Sequence, residues 1–500
     1  MTFVRARHGL ARNLICTAAI TLASLPGMTM AADKETVTLA ISQEPPNWDY
    51  TVGTATAING VIALNVMEPL LELAEDGRLK PLLATSYDVS PDGLEYTFHL
   101  SVAKFHDGSD FNADDVLYSF ETYRASTRPE LSTVFDAVSK IEKLDDATVK
   151  VTLSRPSQRF IMGMASLSGL MLPEGGLDGL AQKPVGTGPY TFAEWRPGVE
   201  SRLSRFEDYH GDKPFFDEAV FKLIPDETAE VNALLAGDVD VVTLLVGDGK
   251  ERAETIEKTD GFSVLTTPSG QMNYLALNAK DPKFADIKVR QAIAHATNRD
   301  DIAVGAYAGF AVPNCIFVNP ANNPWNSDYC PFPLDPEKSK ALLEEAGVSD
   351  FTFELKYYNL SDGPPLNELL TAQMAEAGIT VEGAPRELAV YLEEVLGNTP
   401  NFEATVITGP QTIDSFVCPG WFSSACVPEF DKLWAEADAA PSIDQAVELR
   451  RQAVNLFADQ AWIIPTVNWV DVTFASDKLA GWKTFRSVSE NDLRTLRWAD

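Results

Sequence analysis

The chain has 500 residues, more than a single hydrophobic core usually supports, so we expect at least two compact units. It is 45% hydrophobic and 22% charged, which is typical of a soluble globular protein. The formal net charge of -32 repels nucleic acid and anionic lipid headgroups, so we expect neither as a partner.

Residues 1–31 have the pattern of a secretory signal peptide. Three arginines precede an apolar run at 14–25, and small residues indicate cleavage after Ala31 or Ala32. The run is too short to span a bilayer comfortably, although an uncleaved anchor is the alternative. Cys16 lacks the small residue expected before a lipid-modified cysteine. We therefore expect a periplasmic protein without a lipobox.

The rest of the chain alternates short strands with helices. Hydrophobic periodicity predicts strands at 36–42, 94–100, 147–153, 219–224, 238–245, 273–278, 352–358, 379–385 and 402–408. Capping residues and helical spacing predict helices at 226–237, 287–297, 300–308, 335–347, 365–377 and 443–458. Because helix 226–237 lies between two strands, the order indicates an α/β unit with a parallel sheet.

Residues 104–120 (KFHDGSDFNADDVLYSF) combine a histidine with several aspartates, as a catalytic or metal site would. Asn112, however, is a good helix N-cap, and Asp115 follows three residues later, close to a capping box. Asp114 and Asp115 then lie in a first helical turn, where negative charge is favoured. We therefore interpret the acids as caps and His106 as a hydrogen-bonded turn residue.

Other signals of catalysis or metal binding are weak. His99, His106, His210 and His295 are scattered without HxxxH or HExxH spacing. The glycine-rich PVGTGPYTFA at 184–193 lacks the features of a phosphate-binding loop and suggests a tight loop entering a strand. We therefore expect no metal site and no cofactor.

Four cysteines follow the signal peptide, an even number that suggests two disulfides in an exported chain. Three connectivities are open. We favour the sequence-local one, Cys315–Cys330 and Cys418–Cys426, because it closes short loops and needs no long-range coincidence.

Seven segments in order resemble the extracytoplasmic solute-binding proteins of ABC importers, family 5, the peptide/nickel/opine type. They are EPLLELAEDGRLKPLLATSYDVSPDGLEYTFHL (68–100), KFHDGSDFNADDVLYSFE (104–121), PVGTGPY (184–190), IPDETAEVNALLAGDVDVV (224–242), YLALN (274–278), VRQAIAHATNRD (289–300) and DPEKSKALLEEAG (335–347). Each alone is a modest signal, but together with the end of the chain the ordered set covers nearly the whole mature protein.

The resemblance implies a two-lobed α/β fold with hinged lobes around a central cleft. Lobe I would have its core at 32–55, 184–270 and 471–500 and an extra subdomain at 56–183. Lobe II would comprise 271–470. The chain would cross between the lobes near Tyr274 and Val470, and such a hinge permits rigid-body closure.

The resemblance also directs two loops at the cleft. The loop QEPPNWDY (43–50) offers Asn47, Trp48 and Tyr50, although Trp48 could instead pack within its own lobe. The loop 409–426 offers Asp414 and Trp421. Trp421 would either stack on the ligand or pack within the loop.

Two further positions bear on the kind of ligand. Peptide-binding relatives resemble one another in carrying an acidic residue in the region where this sequence has Gln411. This departure puts a free peptide in doubt as the ligand. Arg386 follows a predicted strand and could meet a carboxylate or be solvated.

We therefore predict a monomeric, non-enzymatic binding protein that captures an oligopeptide or similar small polar solute. It would deliver the solute to an ABC permease and its ATPases. The alternatives are an exported hydrolase of peptides or sugar polymers and a sensing or chaperone-like role for the same cleft. A metal carried inside a small chelator also remains open.

Overall fold

A computed structural model describes residues 35–499 apart from 54, 75–76, 245–252, 254, 319–322, 360–361, 411–412 and 483–490. The side chains of 56, 268–270, 410 and 414 are also outside the description. The predicted signal peptide lies outside the described residues.

Eleven strands of the described chain form one large mixed sheet. They are β1 (Thr36–Ile41), β8 (Tyr190–Arg196), β9 (Glu200–Arg205), β10 (Glu218–Leu223), β11 (Val241–Leu244), β12 (Phe262–Leu277), β13 (Ala311–Pro313), β14 (Thr352–Tyr358), β15 (Thr380–Arg386), β16 (Ala404–Pro410) and β17 (Ile463–Ser476). The order is β15-β14-β16-β12-β17-β11-β1-β10-β9-β8, with β13 paired to β17.

The large sheet contains two parallel blocks. In one, β1 pairs in parallel with β10 and β11, and in the other β14 pairs in parallel with β15 and β16. The long strands β12 and β17 pair antiparallel with each other, and each also pairs antiparallel with one block. The sheet therefore consists of two α/β blocks joined by two long strands.

Eight further strands of the described chain form one four-stranded sheet and two two-stranded pairs. A four-stranded antiparallel sheet has the order β4-β5-β7-β6 and consists of β4 (Ala84–Val89), β5 (Glu95–Leu100), β6 (Val138–Asp145) and β7 (Thr148–Leu153). Two-stranded pairs join β2 (Leu71–Leu73) to β3 (Leu79–Pro81) and β18 (Leu479–Ala480) to β19 (Arg497–Trp498). The predicted strands at 94–100 and 147–153 are β5 and β7.

Twelve α-helices are described. They are α1 (Thr56–Ile62), α2 (Ala113–Arg124), α3 (Pro129–Ser132), α4 (Gln158–Gly163), α5 (Glu227–Ala236), α6 (Ile287–His295), α7 (Arg299–Gly305), α8 (Pro336–Glu345), α9 (Gly363–Glu376), α10 (Leu388–Leu396), α11 (Pro428–Asp438) and α12 (Ile443–Asp459). Short 3₁₀ turns lie at Thr133–Phe135, Leu167–Gly169, Pro282–Phe284 and Ile413–Phe416.

The β10-α5-β11 unit confirms the α/β unit predicted from periodicity. The Asp226 carboxylate caps α5 by accepting a hydrogen bond from the Ala229 N–H at 2.8 Å. Gly237 ends α5 in a left-handed conformation with φ of 77°, which glycine adopts without a steric penalty. Both β10 and β11 pair in parallel with β1, as the strand–helix–strand order predicts.

Helix α2 begins as its sequence predicts. The Asn112 side chain accepts a hydrogen bond from the Asp114 N–H at 2.8 Å, and the Asp115 carboxylate accepts one from the Asn112 N–H at 2.9 Å. This is a capping box, so the acidic pair of the 104–120 stretch has a structural role.

The described apolar residues form three buried clusters. The first joins β1 and residues of the 43–221 region, including Trp48, Phe98 and Phe160. The second lies around α5 to α9, and the third around β16, α11 and α12. Among the described residues, no helix has the length and apolar character needed to cross a membrane.

Candidate functional site

A cleft of about 590 Å³ lies between residues from distant parts of the chain. One wall comes from α3, α4 and the turn after each. The other comes from α11, α12, Trp325 and the 413–417 turn. The lining residues are Glu130, Thr133, Val134, Arg159, Met162, Gly163, Ser166, Trp325, Ile413, Val417, Asp431, Trp434, Ala435, Asp438 and Arg450. The mixture of aromatic, apolar and charged groups suits a small organic solute.

The first wall is held by local hydrogen bonds. The Ser157 hydroxyl caps α4 by accepting a hydrogen bond from the Phe160 N–H at 3.3 Å. The Arg159 guanidinium donates to the Thr133 hydroxyl at 3.3 Å. Glu130 lies 3.6 Å from the Arg128 guanidinium. The polar groups of this wall are therefore hydrogen-bonded or ion-paired to one another or to adjacent residues.

The second wall places two indole rings around a guanidinium. The Arg450 guanidinium carbon lies 4.8 Å from the centroid of the Trp325 ring and 5.3 Å from that of Trp434. Trp434 also stacks on Phe430, with centroids 5.5 Å apart and 26° between the planes. Packing between α11 and α12 thus fixes the position of the Arg450 cation.

Asp431 ties this wall to the adjacent disulfide loop. Both of its carboxylate oxygens accept from the Cys418 N–H, each at 3.2 Å. Cys418 and Cys426 form a disulfide, as do Cys315 and Cys330, so the sequence-local pairing is confirmed. The loop that carries Val417 is therefore anchored at its base.

The two walls touch each other at one end of the cleft. Arg155 forms an ion pair with Asp438 at 3.2 Å, and Asp438 also accepts from the Arg159 N–H at 3.2 Å. The Gln158 amide donates to the Ala440 carbonyl at 2.8 Å. These contacts join a segment before residue 170 to one after residue 437.

The two long strands carry a polar network between the blocks of the sheet. The Asn273 amide donates to the Thr408 hydroxyl at 3.0 Å, and the Thr466 hydroxyl donates to the Asn273 side chain at 2.6 Å. The pairing of β12 with β17 shifts register between Pro268 and Met272 and again at Tyr274. This irregular region is where the predicted crossings near Tyr274 and Val470 lie.

A buried carboxylate lies near the carboxyl end of β14. Asp362 accepts hydrogen bonds from the Tyr307 hydroxyl at 2.8 Å and the Tyr358 hydroxyl at 2.6 Å. Burial, followed by the charge of Asp362, raises the pKa of both phenols well above their usual value. The tyrosines are therefore neutral donors at physiological pH.

The sequence matches the model described as bacterial extracellular solute-binding proteins, family 5 middle, over residues 78–423. The chain belongs to this family. The dipeptide-binding protein of Escherichia coli K12 is 28% identical over 494 residues, covering 88% of this chain and 90% of that protein.

Two solved structures share the fold of this family 5 chain. DppA of Helicobacter pylori, in complex with the peptide STSA, is 26% identical with a TM-score of 0.69, covering 93% of this chain and 98% of that one. AgaA of A. tumefaciens R10, in complex with agropinic acid, is 27% identical with a TM-score of 0.69, covering 93% and 99%. The architecture is that of a two-lobed periplasmic binding protein.

The first predicted loop of this binding protein does not line the cleft in this structure. Trp48 is completely buried, with its ring centroid 5.1 Å from that of Phe192. The buried Tyr50 hydroxyl bonds to the Tyr123 hydroxyl. The Asn47 side chain accepts from the Asp49 N–H at 2.9 Å and shapes the turn. Trp48 takes the core-packing alternative because apolar residues surround it.

The second predicted loop is adjacent to the cleft. Ile413 and Val417 line the cleft, whereas Gln411 and the side chain of Asp414 lie outside the described residues. Trp421 packs edge-on against Phe422, with ring centroids 4.8 Å apart, and is not in the lining.

Arg386 lies in a salt-bridge network away from the cleft lining. Its guanidinium donates to Glu394 at 2.9 Å, and the buried Lys356 ammonium donates to the same carboxylate at 2.7 Å. The hydrogen bond from Lys356, followed by that from Arg386, lowers the pKa of Glu394. Arg386 is thus engaged by a carboxylate of its own chain.

Sequence reasoning missed the residues that define the cleft walls, above all Arg159, Trp434 and Arg450. Tryptophan and arginine on amphipathic helices are ordinary features, and nothing in their spacing relates α4 to α12. The only indication of a cleft was the family resemblance. It implies a cleft between the lobes but does not indicate which residues line it.

Proposed function

We propose that this chain is the substrate-binding protein of an ABC importer and that it captures a short peptide or similar small polar solute in the cleft between its lobes. Closure of the lobes would then present the loaded protein to the membrane permease. The observation that carries the proposal is a cleft of about 590 Å³ whose two walls come from distant halves of a family 5 chain.

The linkage between the lobes supports capture by hinged closure. The described blocks are joined by β12 and β17, whose pairing is irregular near Tyr274. Two antiparallel strands permit bending with little loss of hydrogen bonds, so the halves can close as rigid bodies. We retain lobe I as 32–55, 184–270 and 471–500, with its subdomain at 56–183, and lobe II as 271–470.

The relatives support a peptide or a compact peptide-like acid as the solute. The E. coli relative is a dipeptide-binding protein, and the H. pylori structure holds the peptide STSA. The A. tumefaciens structure holds agropinic acid instead. The relatives do not favour the exported hydrolase that the sequence left open.

The proposal includes export and a permease partner. We propose that residues 1–31 are removed on export and that the mature protein acts as a periplasmic monomer. Its partners would be the membrane subunits of the importer and their ATPases.

The test is the solute that the protein holds when purified without unfolding. Native mass spectrometry should show a bound species that is lost after denaturation and refolding, and acid hydrolysis of this species should release amino acids. The refolded protein should then gain thermal stability from members of a panel of peptides, opines, sugars and metal chelates. Absence of any solute together with no stabilisation by the panel would contradict the proposal, as would turnover of a panel member.

A further inference from the structure

We propose that the hydroxyl of Tyr274, on the long strand β12, is a further solute-binding group that donates a hydrogen bond to an uncharged oxygen atom of the captured solute. This inference rests on the proposed function and adds a group to its site. Tyr274 lies at the irregular pairing of β12 with β17, where the chain is expected to cross between the lobes. A solute bound to this hydroxyl would therefore contact the hinge as well as the walls of the cleft.

The Tyr274 hydroxyl is buried and unpaired. The side chain is completely buried, and within the described chain its hydroxyl has no hydrogen-bond partner. The other tyrosines with fully buried side chains each have a partner, and they are Tyr50, Tyr123, Tyr190 and Tyr391. Because an unpaired buried hydroxyl costs stability, its retention indicates a partner that the chain itself does not supply.

The hydroxyl lies at the carboxyl end of a parallel block of the sheet. Strands β14, β15 and β16 run parallel, and Gly409 is the next-to-last residue of β16. Apart from its chain neighbours, the atom nearest to a Cβ at Gly409 would be the Tyr274 hydroxyl oxygen, at 3.9 Å. Glycine therefore leaves room beside the hydroxyl. Ligands of α/β sheets bind outside the carboxyl ends of parallel strands, which is where this room lies.

Aromatic contacts connect Tyr274 to the cleft lining. Its ring packs edge-on against Phe317, with centroids 5.0 Å apart, and Phe317 packs edge-on against Phe416 at 5.1 Å. Phe416 ends the 3₁₀ turn that begins at Ile413, and Ile413 and Val417 both line the cleft. The phenol ring is therefore held in one orientation, and a single aromatic residue separates it from the turn that lines the cleft.

The surroundings of the hydroxyl favour an uncharged acceptor. Burial raises the pKa of Tyr274 well above its usual value, so the phenol keeps its proton and acts as a donor. A charged group would lose its hydration at so buried a position, whereas a carbonyl oxygen exchanges one hydrogen bond for another. The carbonyl oxygen of an amide or ester therefore fits this position.

The experiment replaces Tyr274 with Phe, which removes the hydroxyl and keeps the ring. The probe is the panel member that binds refolded wild-type protein most tightly, and calorimetry measures its affinity for the refolded full-length mature proteins. The affinity of Tyr274→Phe should be at least about fivefold lower, because the variant leaves a buried oxygen of the solute unpaired. The thermal midpoint of the ligand-free variant should equal or exceed that of wild type, because the hydroxyl has no partner to lose.

Tyr391→Phe is the matched control, because it removes a buried hydroxyl that has partners. The Tyr391 hydroxyl donates to the Val406 carbonyl at 2.7 Å and lies 2.9 Å from the Thr405 hydroxyl. This variant should have a lower thermal midpoint and the wild-type affinity. The two variants therefore separate a hydroxyl that binds the solute from one that stabilises the fold.

Two results would overturn the role of Tyr274. Tyr274→Phe could bind the probe as tightly as wild type, or it could lower the thermal midpoint of the ligand-free protein as Tyr391→Phe should. In either case the protein still binds a panel member, so the proposed function stands. A protein that holds no solute and binds no member of the panel overturns both proposals.

Discussion

His106 shows how a histidine beside an aspartate can be structural. Its Nε2–H donates to the Gly188 carbonyl at 2.9 Å, and its Nδ1 accepts from the Gly186 N–H at 3.3 Å. Both ring nitrogens are satisfied only in the neutral form, because a proton on Nδ1 would oppose the Gly186 N–H. Burial lowers the pKa of His106 to about 4.

Replacing His106 with Ala should lower the free energy of unfolding by about 1–3 kcal/mol at pH 7.5, since two buried backbone groups lose their partner. The unfolded histidine binds a proton near pH 6.5 and the folded one near 4, so wild-type stability falls as the pH drops through this range. The alanine variant lacks this loss, and the difference between the two proteins should narrow by pH 4.

Urea denaturation from pH 7.5 to pH 4 checks this prediction, with calorimetry to show that ligand affinity stays within a few fold. Loss of binding in a variant with unchanged unfolding would instead place His106 in the binding site. A stability difference that widens on acidification would contradict the neutral assignment.

The glycines opposite His106 have a packing role. A Cβ atom on Gly186 would lie 2.1 Å from the Val66 carbonyl oxygen, and one on Gly188 would lie 2.6 Å from that of Asn65. Only glycine lets these backbones approach so closely. The PVGTGPY loop enters strand β8, as the sequence suggested, but its packing against Asn65 and Val66 was not predictable from local pattern.

Residues whose roles depend on distant parts of the chain were the hardest to predict. Trp48 follows a strand and was a candidate for contact with the ligand, with packing in its own lobe as the alternative; Phe192 and Trp195 bury it. Arg450 was not singled out, yet it stacks on Trp325 and Trp434 in the cleft wall. In both cases the residues that pack against the side chain lie far away in sequence. The local spacing of residues therefore does not indicate these contacts.

At the scale of elements, the capping box of α2 is a local sequence signal whose contribution to the free energy of unfolding can be measured. Asp115 accepts from the Asn112 N–H and also from the Glu174 N–H, each at 2.9 Å, so it links the helix start to a distant turn. Asp114 is exposed and forms an ion pair with Lys143.

Asp115→Ala should therefore lower the free energy of unfolding by about 1–3 kcal/mol, because it leaves two backbone donors without an acceptor. Asp114→Ala is the matched control and should cost about 1 kcal/mol or less, as for an exposed ion pair. Chemical denaturation measures both, and ligand affinity should be unchanged. Equal effects of the two variants, or a selective loss of binding in Asp115→Ala, would contradict the capping interpretation.

Elements with strong local signals were predicted well, and others were missed. Helix α8 was expected because Asp335 caps it, Pro336 begins it and Gly347 follows it, and Asp335 indeed accepts from the Lys338 N–H at 2.8 Å. Helices α10 and α11 were not predicted. Neither has a side-chain cap hydrogen bond, although Pro428 begins α11 and Glu429 and Asp431 lie in its first turn.

At the scale of the whole molecule, the family resemblance predicted a two-lobed fold, and the structural neighbours confirm it. Local pattern alone predicted only the separate α/β units. The arrangement of the large sheet depends on the pairing of β12 with β17, two segments about 200 residues apart, which no periodicity reveals. The cleft likewise depends on long-range contacts, because its walls come from residues 130–166 and 325–450.

The contacts of Asp438 join the two walls and should bias the equilibrium between open and closed forms. Asp438 pairs with Arg155, which is 54% exposed, and accepts from the Arg159 N–H. Asp438→Ala removes both contacts, so the ligand-free protein should open wider and its radius of gyration should rise. If the lobes close on the ligand as proposed, the apparent affinity should fall about two- to fivefold, which corresponds to roughly 0.4–1 kcal/mol.

Small-angle scattering without ligand and calorimetry with the solute identified by native mass spectrometry measure the two effects separately. Asp444→Ala is the control, because it removes the same charge from an exposed position at the start of α12. This control should leave both quantities unchanged. A fall in affinity without any change in the scattering of the ligand-free protein would mean that Asp438 contacts the solute itself, and unchanged values for both would show that these contacts do not govern closure.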